Sequence, residues 1–241
     1  MVTGLTENPA DGPISLHSGR TGQSVELGVF LFLIVPSMVL SFFAVKQGSL
    51  GFGLVAVATI FRDLALVSLI LFFVWRNGEP VAGLGWTFKH GRQEFFLGVA
   101  LFVPLFFSAN LLERALLTVG FSVPSTPLPS LTPAKDTTEL LLAVVLVVIV
   151  AVAEENIFRG YLILRLKAIT ASPAAAVVLS AVIFSLGHGY EGSAGVITVG
   201  VMGMVFALVY LWRQSLVAPI VMHFLQDFIS IVMLPLLGVA K

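Results

Sequence analysis

Glu154 and Glu155 follow fourteen consecutive apolar residues, Leu140 to Ala153, and Arg159 stands four positions beyond the second acid. Charge is costly in such a run, so ionisable side chains placed there usually face a partner or a cavity. Glu155 and Arg159 are one helical turn apart with the acid on the N-terminal side, the better order for an intrahelical ion pair. Glu154 points about 100° away from Glu155 and is not satisfied by that arginine. One acid is thus read as structural, and the other is left free. Two later stretches add chemistry of the same kind. FSLGH places Phe184 and His188 on one helical face, and HFLQD stacks His223 on Asp227. An imidazole can relay or donate a proton, and an adjacent carboxylate can orient it. Taken singly, each is equally a self-satisfied core pair, and the three charges at 154–159 equally a network at a helix end. Together, on three separate late segments, they are harder to dismiss as separate coincidences.

The elements that must position these residues are membrane helices. Of 241 residues 58% are hydrophobic and 11% charged, where soluble domains carry about a quarter charged, and the mean hydropathy is +1.03. An apolar run of about 20 residues crosses a bilayer. The expectation is an all-α fold, a polytopic integral membrane helical bundle. Its seven transmembrane helices fall at 27–45, 53–75, 94–118, 139–165, 173–190, 194–212 and 216–238, with an eighth only if a short further segment exists. Residues 1–25 read as a flexible polar tail without the pattern of a cleaved signal peptide, so the first apolar run acts as an anchor. Residues 26–241 read as one transmembrane domain with its motif-bearing core at 139–238. Proline at position 173, after Ser172, suits a helix start. Gly200, Gly203 and Ala207 form a small-residue stripe suited to close packing. A net charge of zero gives no electrostatic case for nucleic acid as a partner. The absence of cysteine excludes disulfides and thiolate metal sites.

With the N-terminus in the cytoplasm, Arg20, Arg76, Lys89, Arg92, Arg159, Arg165, Lys167 and Arg213 fall on the cytoplasmic side, and only Lys46, Lys135 and Lys241 on the other. That is the asymmetry of the positive-inside rule. Counted at 1.5 Å per residue, Glu154 lies roughly 16 Å from Arg165, His223 about 15 Å from Arg213, and His188 about 22 Å from Pro173. The first two depths agree. His188 fits only if its helix is tilted or begins outside the bilayer.

These residues resemble the three ordered motifs of the CPBP intramembrane proteases, the family of the type II CAAX prenyl endopeptidases and the Abi-type bacteriocin-immunity proteins. EENIFR is similar to EExxxR, FSLGH to FxxxH and HFLQD to HxxxN/D, and RGYL and LVAPIVMHFLQDF look familiar around them. The resemblance covers roughly the C-terminal half. It implies peptide-bond hydrolysis within the membrane, on a membrane-embedded or lipidated, CAAX-like peptide, with membrane lipids as the surroundings and a prokaryotic plasma membrane as the location. It also implies that Glu154 and His188 activate water, that His223 and Asp227 stabilise the oxyanion, and that Glu155, Arg159 and Phe184 support the site. An ionised Asp227 only accepts hydrogen bonds, so it is expected to orient His223 as the donor. One acid and two histidines, Glu154, His188 and His223, also equal the ligand count of a catalytic zinc, and the family carries a metalloprotease label. HExxH is absent, however, and the favoured expectation needs no cofactor. The alternatives are a non-catalytic scaffold or immunity-type protein and, behind it, a proton-coupled transporter. In the transporter, Arg62-Asp63 and Glu113-Arg114 would be relay points. As helix neighbours that do not face each other, these residues are expected to pair with other helices instead.

Overall fold

Each of the seven apolar runs forms a helix in the computed structural model, which describes residues 19–47, 50–124, 133 and 136–238. The helices are α1 (Arg20–Gln47), α2 (Phe52–Arg76), α3 (Gly91–Thr118), α4 (Thr137–Glu154), α5 (Ile163–Thr170), α6 (Pro173–Leu186), α7 (Gly192–Arg213), α8 (Val217–Asp227) and the short α9 (Leu234–Leu236). α4 and α5 are one unbroken rod, joined by a π-helical stretch at Glu155–Leu162. A second π-helical stretch, Phe228–Met233, joins α8 to α9. Among the described residues there is no strand and no eighth span. The tail expected over 1–25 lies outside the described residues as far as residue 18, and its last part is helical, because α1 opens at Arg20.

Six of these segments are long and apolar enough to cross a bilayer, and the chain is an integral membrane protein. The seventh, α6, differs from expectation. It has 14 residues, about 21 Å, against a hydrocarbon core of about 30 Å. Its start is as read: Ser172 accepts a hydrogen bond from the Ala175 amide, with Pro173 in the first turn. Its end comes four residues early, because the chain turns through Gly189–Glu191 and reverses at Gly192 with φ 80°. There the backbone tucks beneath the segment after α3, and the Ala194 amide donates to the Ser122 carbonyl at 2.9 Å. His188 therefore lies in the turn that follows α6 rather than on a helix crossing the bilayer.

The charged ends of the helices lock together on one face. Arg165 is buried and holds Glu79 through two 2.8 Å hydrogen bonds, with Glu26 at 3.4 Å. Arg76 and Asn77 also bond Glu26, Arg213 bonds Glu94, and Arg20 bonds the Ile169 carbonyl. The start of α1, end of α2, start of α3, end of α5 and end of α7 thus share one face, so consecutive long helices alternate in direction. Arg159 is a correction to the sequence reading: it is 1% exposed and lies inside the bundle, away from that basic rim.

Three apolar clusters frame the interior. The largest links α1, α2, the π-helical stretch, α6 and α7 around Phe30, Phe73, Tyr161 and Phe184. A second joins α3, α7 and α8 through Phe102, Phe206 and Met222. The third packs Phe52 and Ala56 of α2 against Ala143 and Val147 of α4. The polar residues of the sequence motifs lie where these clusters meet.

Candidate active site

Glu154 ends α4, and Glu155 opens the π-helix. A π-helix widens the turn and shifts the usual carbonyl partners, and side chains fill in here. Asn156 Nδ2 donates to the Val152 carbonyl at 2.7 Å, Ser180 Oγ to the Phe158 carbonyl at 2.7 Å, and Trp86 Nε1 anchors Asn156 Oδ1 at 2.7 Å. Isolated π-helical turns occur disproportionately at functional sites. This one carries the first motif from Glu155 to Arg159.

Glu155 is fully buried, and one of its oxygens serves two partners. Arg159 NH1 donates to Oε1 at 2.8 Å, and His223 Nδ1 meets the same atom at 2.8 Å. The expected Glu155–Arg159 pair is present, and it extends to His223. Because the carboxylate accepts, Nδ1 carries the hydrogen and Nε2 is turned to the other side. There Glu154 Oε2 lies 3.7 Å away and Asp227 Oδ2 3.4 Å away. His223 is thus clamped among three acids. Its ring stacks on Phe206 at 5.6 Å and meets the edge of Phe184 at 5.9 Å.

Arg159 is buried with very little water, and aromatic faces do part of the solvation. Its guanidinium lies 4.3 Å from the centre of the Phe184 ring and 5.1 Å from that of Phe206, and it donates to the Gly203 carbonyl at 3.2 Å. Cation–π contacts of this kind contribute about 0.5–2 kcal/mol each. Gly203 permits the approach, since a Cβ there would stand 2.8 Å from Phe184 Cδ1 and 3.2 Å from Arg159 NH2. This member of the small-residue stripe makes room for the site as well as for helix packing.

Of the sequence-predicted residues, Glu154, Glu155, Arg159, Phe184, His223 and Asp227 come together. His188 stands one ring away. Its Nδ1 lies 3.0 Å from the Phe184 carbonyl, and its ring is 4.8 Å from that of Phe184. A carbonyl can only accept, so in the neutral ring Nδ1 is the donor and Nε2 the free acceptor. Among the described residues no three His, Asp or Glu side chains are arranged to share a metal ion. His223 gives Nδ1 to Glu155, and His188 gives its own to a backbone carbonyl.

One contributor escaped the sequence reading, and one pair weighed there is arranged otherwise. Tyr190, in the turn after His188, is near enough to Glu154, Asp227 and Arg62 to feel their charges. Arg62 and Asp63 of α2 pair with each other at 2.8 Å instead of with other helices, because the long arginine side chain folds back over its neighbour. Both interact through space with Glu154, and Asp63 also with His223. A charged pair in the middle of an apolar helix was the available signal. Its direction was not legible.

The search of curated proteins found no match, and the search of solved structures found none either. Residues 136–229 match a family model described as Rce1-like, type II CAAX prenyl endopeptidase Rce1-like. The matched interval runs from the cap of α4 to just past Asp227 and so contains all three motifs. The matched stretch, less than half of the chain, is similar to the Rce1-like type II CAAX prenyl endopeptidases and supports a family of CAAX-type intramembrane proteases.

Proposed function

We propose that this protein hydrolyses a peptide bond of a lipidated, CAAX-like membrane substrate with a water molecule activated by Glu154. The observation that carries the reading is the clamp on His223: Nδ1 is fixed by Glu155 at 2.8 Å, and Nε2 faces Glu154 and Asp227 at 3.7 and 3.4 Å. Glu154 Oε2 is buried and has no hydrogen-bond partner among the described residues, as suits an acceptor awaiting a donor such as water. In the proposed sequence Glu154 takes a proton from water as the new C–O bond forms, with Nε2 of His188 as a second acceptor. The carbonyl oxygen becomes an oxyanion and receives a hydrogen bond from Nε2–H of protonated His223, whose Nδ1–H Glu155 holds and which Asp227 orients. The proton held by Glu154 then passes to the departing nitrogen as the C–N bond breaks. The products are a carboxylic acid and an amine. Donors aimed at a developing oxyanion contribute about 2.7–4 kcal/mol each in known enzymes.

No step here calls for a metal ion, and the reading is metal-free. The basic face carrying Arg20, Arg76, Arg92, Lys167 and Arg213 is proposed to be cytoplasmic, in a prokaryotic plasma membrane with the N-terminus inside.

The test uses purified protein in lipid nanodiscs and a fluorogenic peptide with a prenylated cysteine. Wild type is expected to cleave it, and Glu154→Gln to fall by at least about 10²-fold with an unchanged unfolding temperature. Activity should survive dialysis against chelator. Cleavage by Glu154→Gln at the wild-type rate would refute the role of this acid. Loss on chelation that is reversed by zinc would refute the metal-free version.

A further inference from the structure

The turn between α2 and α3 leaves the basic face and enters the bundle, although the proposed chemistry makes no use of it. Glu79 is pinned by Arg165 at its start, and a short 3-10 turn, Val81–Leu84, follows. Leu84 is completely buried in the apolar cluster that holds Ile157 and Tyr161 of the π-helical stretch. Gly85 then takes φ 97°, and its carbonyl accepts from the Leu216 amide at 3.0 Å, just before α8 begins. Only glycine fits there, because a Cβ would stand 2.6 Å from Tyr210 Cε2. The next residue, Trp86, reaches the first motif, and its Nε1 donates to Asn156 Oδ1 at 2.7 Å.

The chemistry of the two contacts on Asn156 fixes which way its amide faces. An indole N–H only donates and a carbonyl only accepts, so Oδ1 turns to Trp86 and Nδ2 to the Val152 carbonyl at 2.7 Å. Asn156 is 2% exposed, and it directly follows Glu154 and Glu155. The Val152 carbonyl lies where α4 gives way to the π-helix, and it shares the Glu155 amide with the carbonyl of Ala151. Adjacent side chains on an α-helix diverge by about 100°, yet Glu154 and Glu155 both meet the His223 ring, at 3.7 and 2.8 Å. A turn closed by bonds five residues apart holds more residues, so the angle between neighbours shrinks. The Asn156 side chain, bonded to the carbonyl at the start of that turn, holds it in place.

We propose that Trp86 is a positioning residue for the hydrolytic centre: through Asn156 it holds the start of the π-helix, and with it the direction of Glu154 relative to His223. The proposal rests on the proteolytic reading and deepens it. Trp86 acts through Asn156 rather than on the substrate. Its neighbour Gly85 is bonded to Leu216, the residue that caps α8 two turns before His223. One loop thereby sets the helix carrying the acids against the helix carrying the histidine.

The experiment measures kcat and KM for the prenylated peptide in nanodiscs, beside unfolding temperatures. In Trp86→Phe the Asn156 amide loses the donor that orients it, and a turned amide sets Oδ1 against the Val152 carbonyl. The expected result is a fall in kcat of about 10–10²-fold, as for small misplacements of reacting groups. KM should be unchanged, because only the transition state needs the aligned acid. Thr87→Ala, which removes the neighbouring bond to the Gln214 carbonyl, should leave kcat at the wild-type value. In Trp86→Phe/Asn156→Leu both polar partners are gone, so the unfolding temperature should return towards wild type while kcat stays low. A wild-type kcat in Trp86→Phe, an equal loss in Thr87→Ala, or recovery of kcat along with stability in the double variant overturns the positioning role and leaves the protease reading in place. No cleavage by wild type overturns both. The double variant leaves neither member of the pair buried alone, so it carries the test even where Trp86→Phe does not fold.

Discussion

Replacing Glu155 by glutamine removes one charge from a buried trio, and the structure sets the size of the effect. Glu155 Oε1 accepts from Arg159 NH1 and His223 Nδ1, both at 2.8 Å. Arg159 keeps the Gly203 carbonyl and the rings of Phe184 and Phe206, but these do not neutralise a cation that is 1% exposed. Breaking a buried pair from one side costs about 3–5 kcal/mol. At about 2–4 °C per kcal/mol for a chain of this size, the unfolding temperature should fall by about 10 °C.

The companion variant Glu155→Gln/Arg159→Met removes both charges and replaces the guanidinium with an apolar chain. Pairs in direct contact couple by about 0.5–3 kcal/mol, so most of the lost stability should return. Activity should not. His223 has lost the carboxylate that fixes Nδ1, and peptidase turnover should stay at least about 10²-fold below wild type in both variants. Thermal unfolding in nanodiscs read alongside cleavage of the prenylated peptide separates the two effects. If the double variant regains activity together with stability, Glu155 serves Arg159 alone and the clamp on His223 has no catalytic meaning.

Two further pairs of substitutions follow from the same geometry. Asp227→Asn keeps an oxygen within 3.4 Å of His223 Nε2 and should retain much of the activity, while His223→Ala should lose it; near-complete loss in both would refute the orienting role of Asp227. Gly203→Ala should cost about 1–3 kcal/mol by overpacking and depress turnover, since its Cβ would meet Phe184 and Arg159 at 2.8 and 3.2 Å. Gly200→Ala, whose nearest contact is Ser185 Cβ at 3.4 Å, should change little, and equal effects at both glycines would show that the stripe serves packing alone.

The parts of this molecule that depend on local spacing could be read from the sequence. The long apolar runs gave the existence and order of their helices, with ends within three residues for α2, α3 and α7, because backbone polar groups in a bilayer must be satisfied within the segment. The pairing of Glu155 with Arg159 followed from a spacing of four. What escaped depends on neighbours distant in sequence. The early end of α6 is set by the segment after α3, against which Gly192 packs, and a hydrophobic pattern continuing past Leu186 carried no sign of it. The π-helix is supported by Ser180 and Trp86, from two other elements. Phe184 was grouped with the site only as a motif position, yet its ring lies 4.3 Å from the Arg159 guanidinium. Arg62 and Asp63 were visible as charges, but a helical wheel cannot say that a long side chain folds back onto its neighbour, or that Glu154 lies beyond.

The charges also constrain how such a centre can work. Asp63, Glu154, Glu155 and Asp227 bring four acids to one region of the bundle, and Arg62 and Arg159 bring two fixed cations. Even with His223 protonated, full ionisation of the acids would leave one negative charge uncompensated where an isolated charge is costly. On the proposed reading, the proton that Glu154 takes from the attacking water and later gives to the leaving nitrogen moves negative charge from the acid to the oxyanion and back, with no change in the total charge of the site, so hydrolysis adds nothing to that cost.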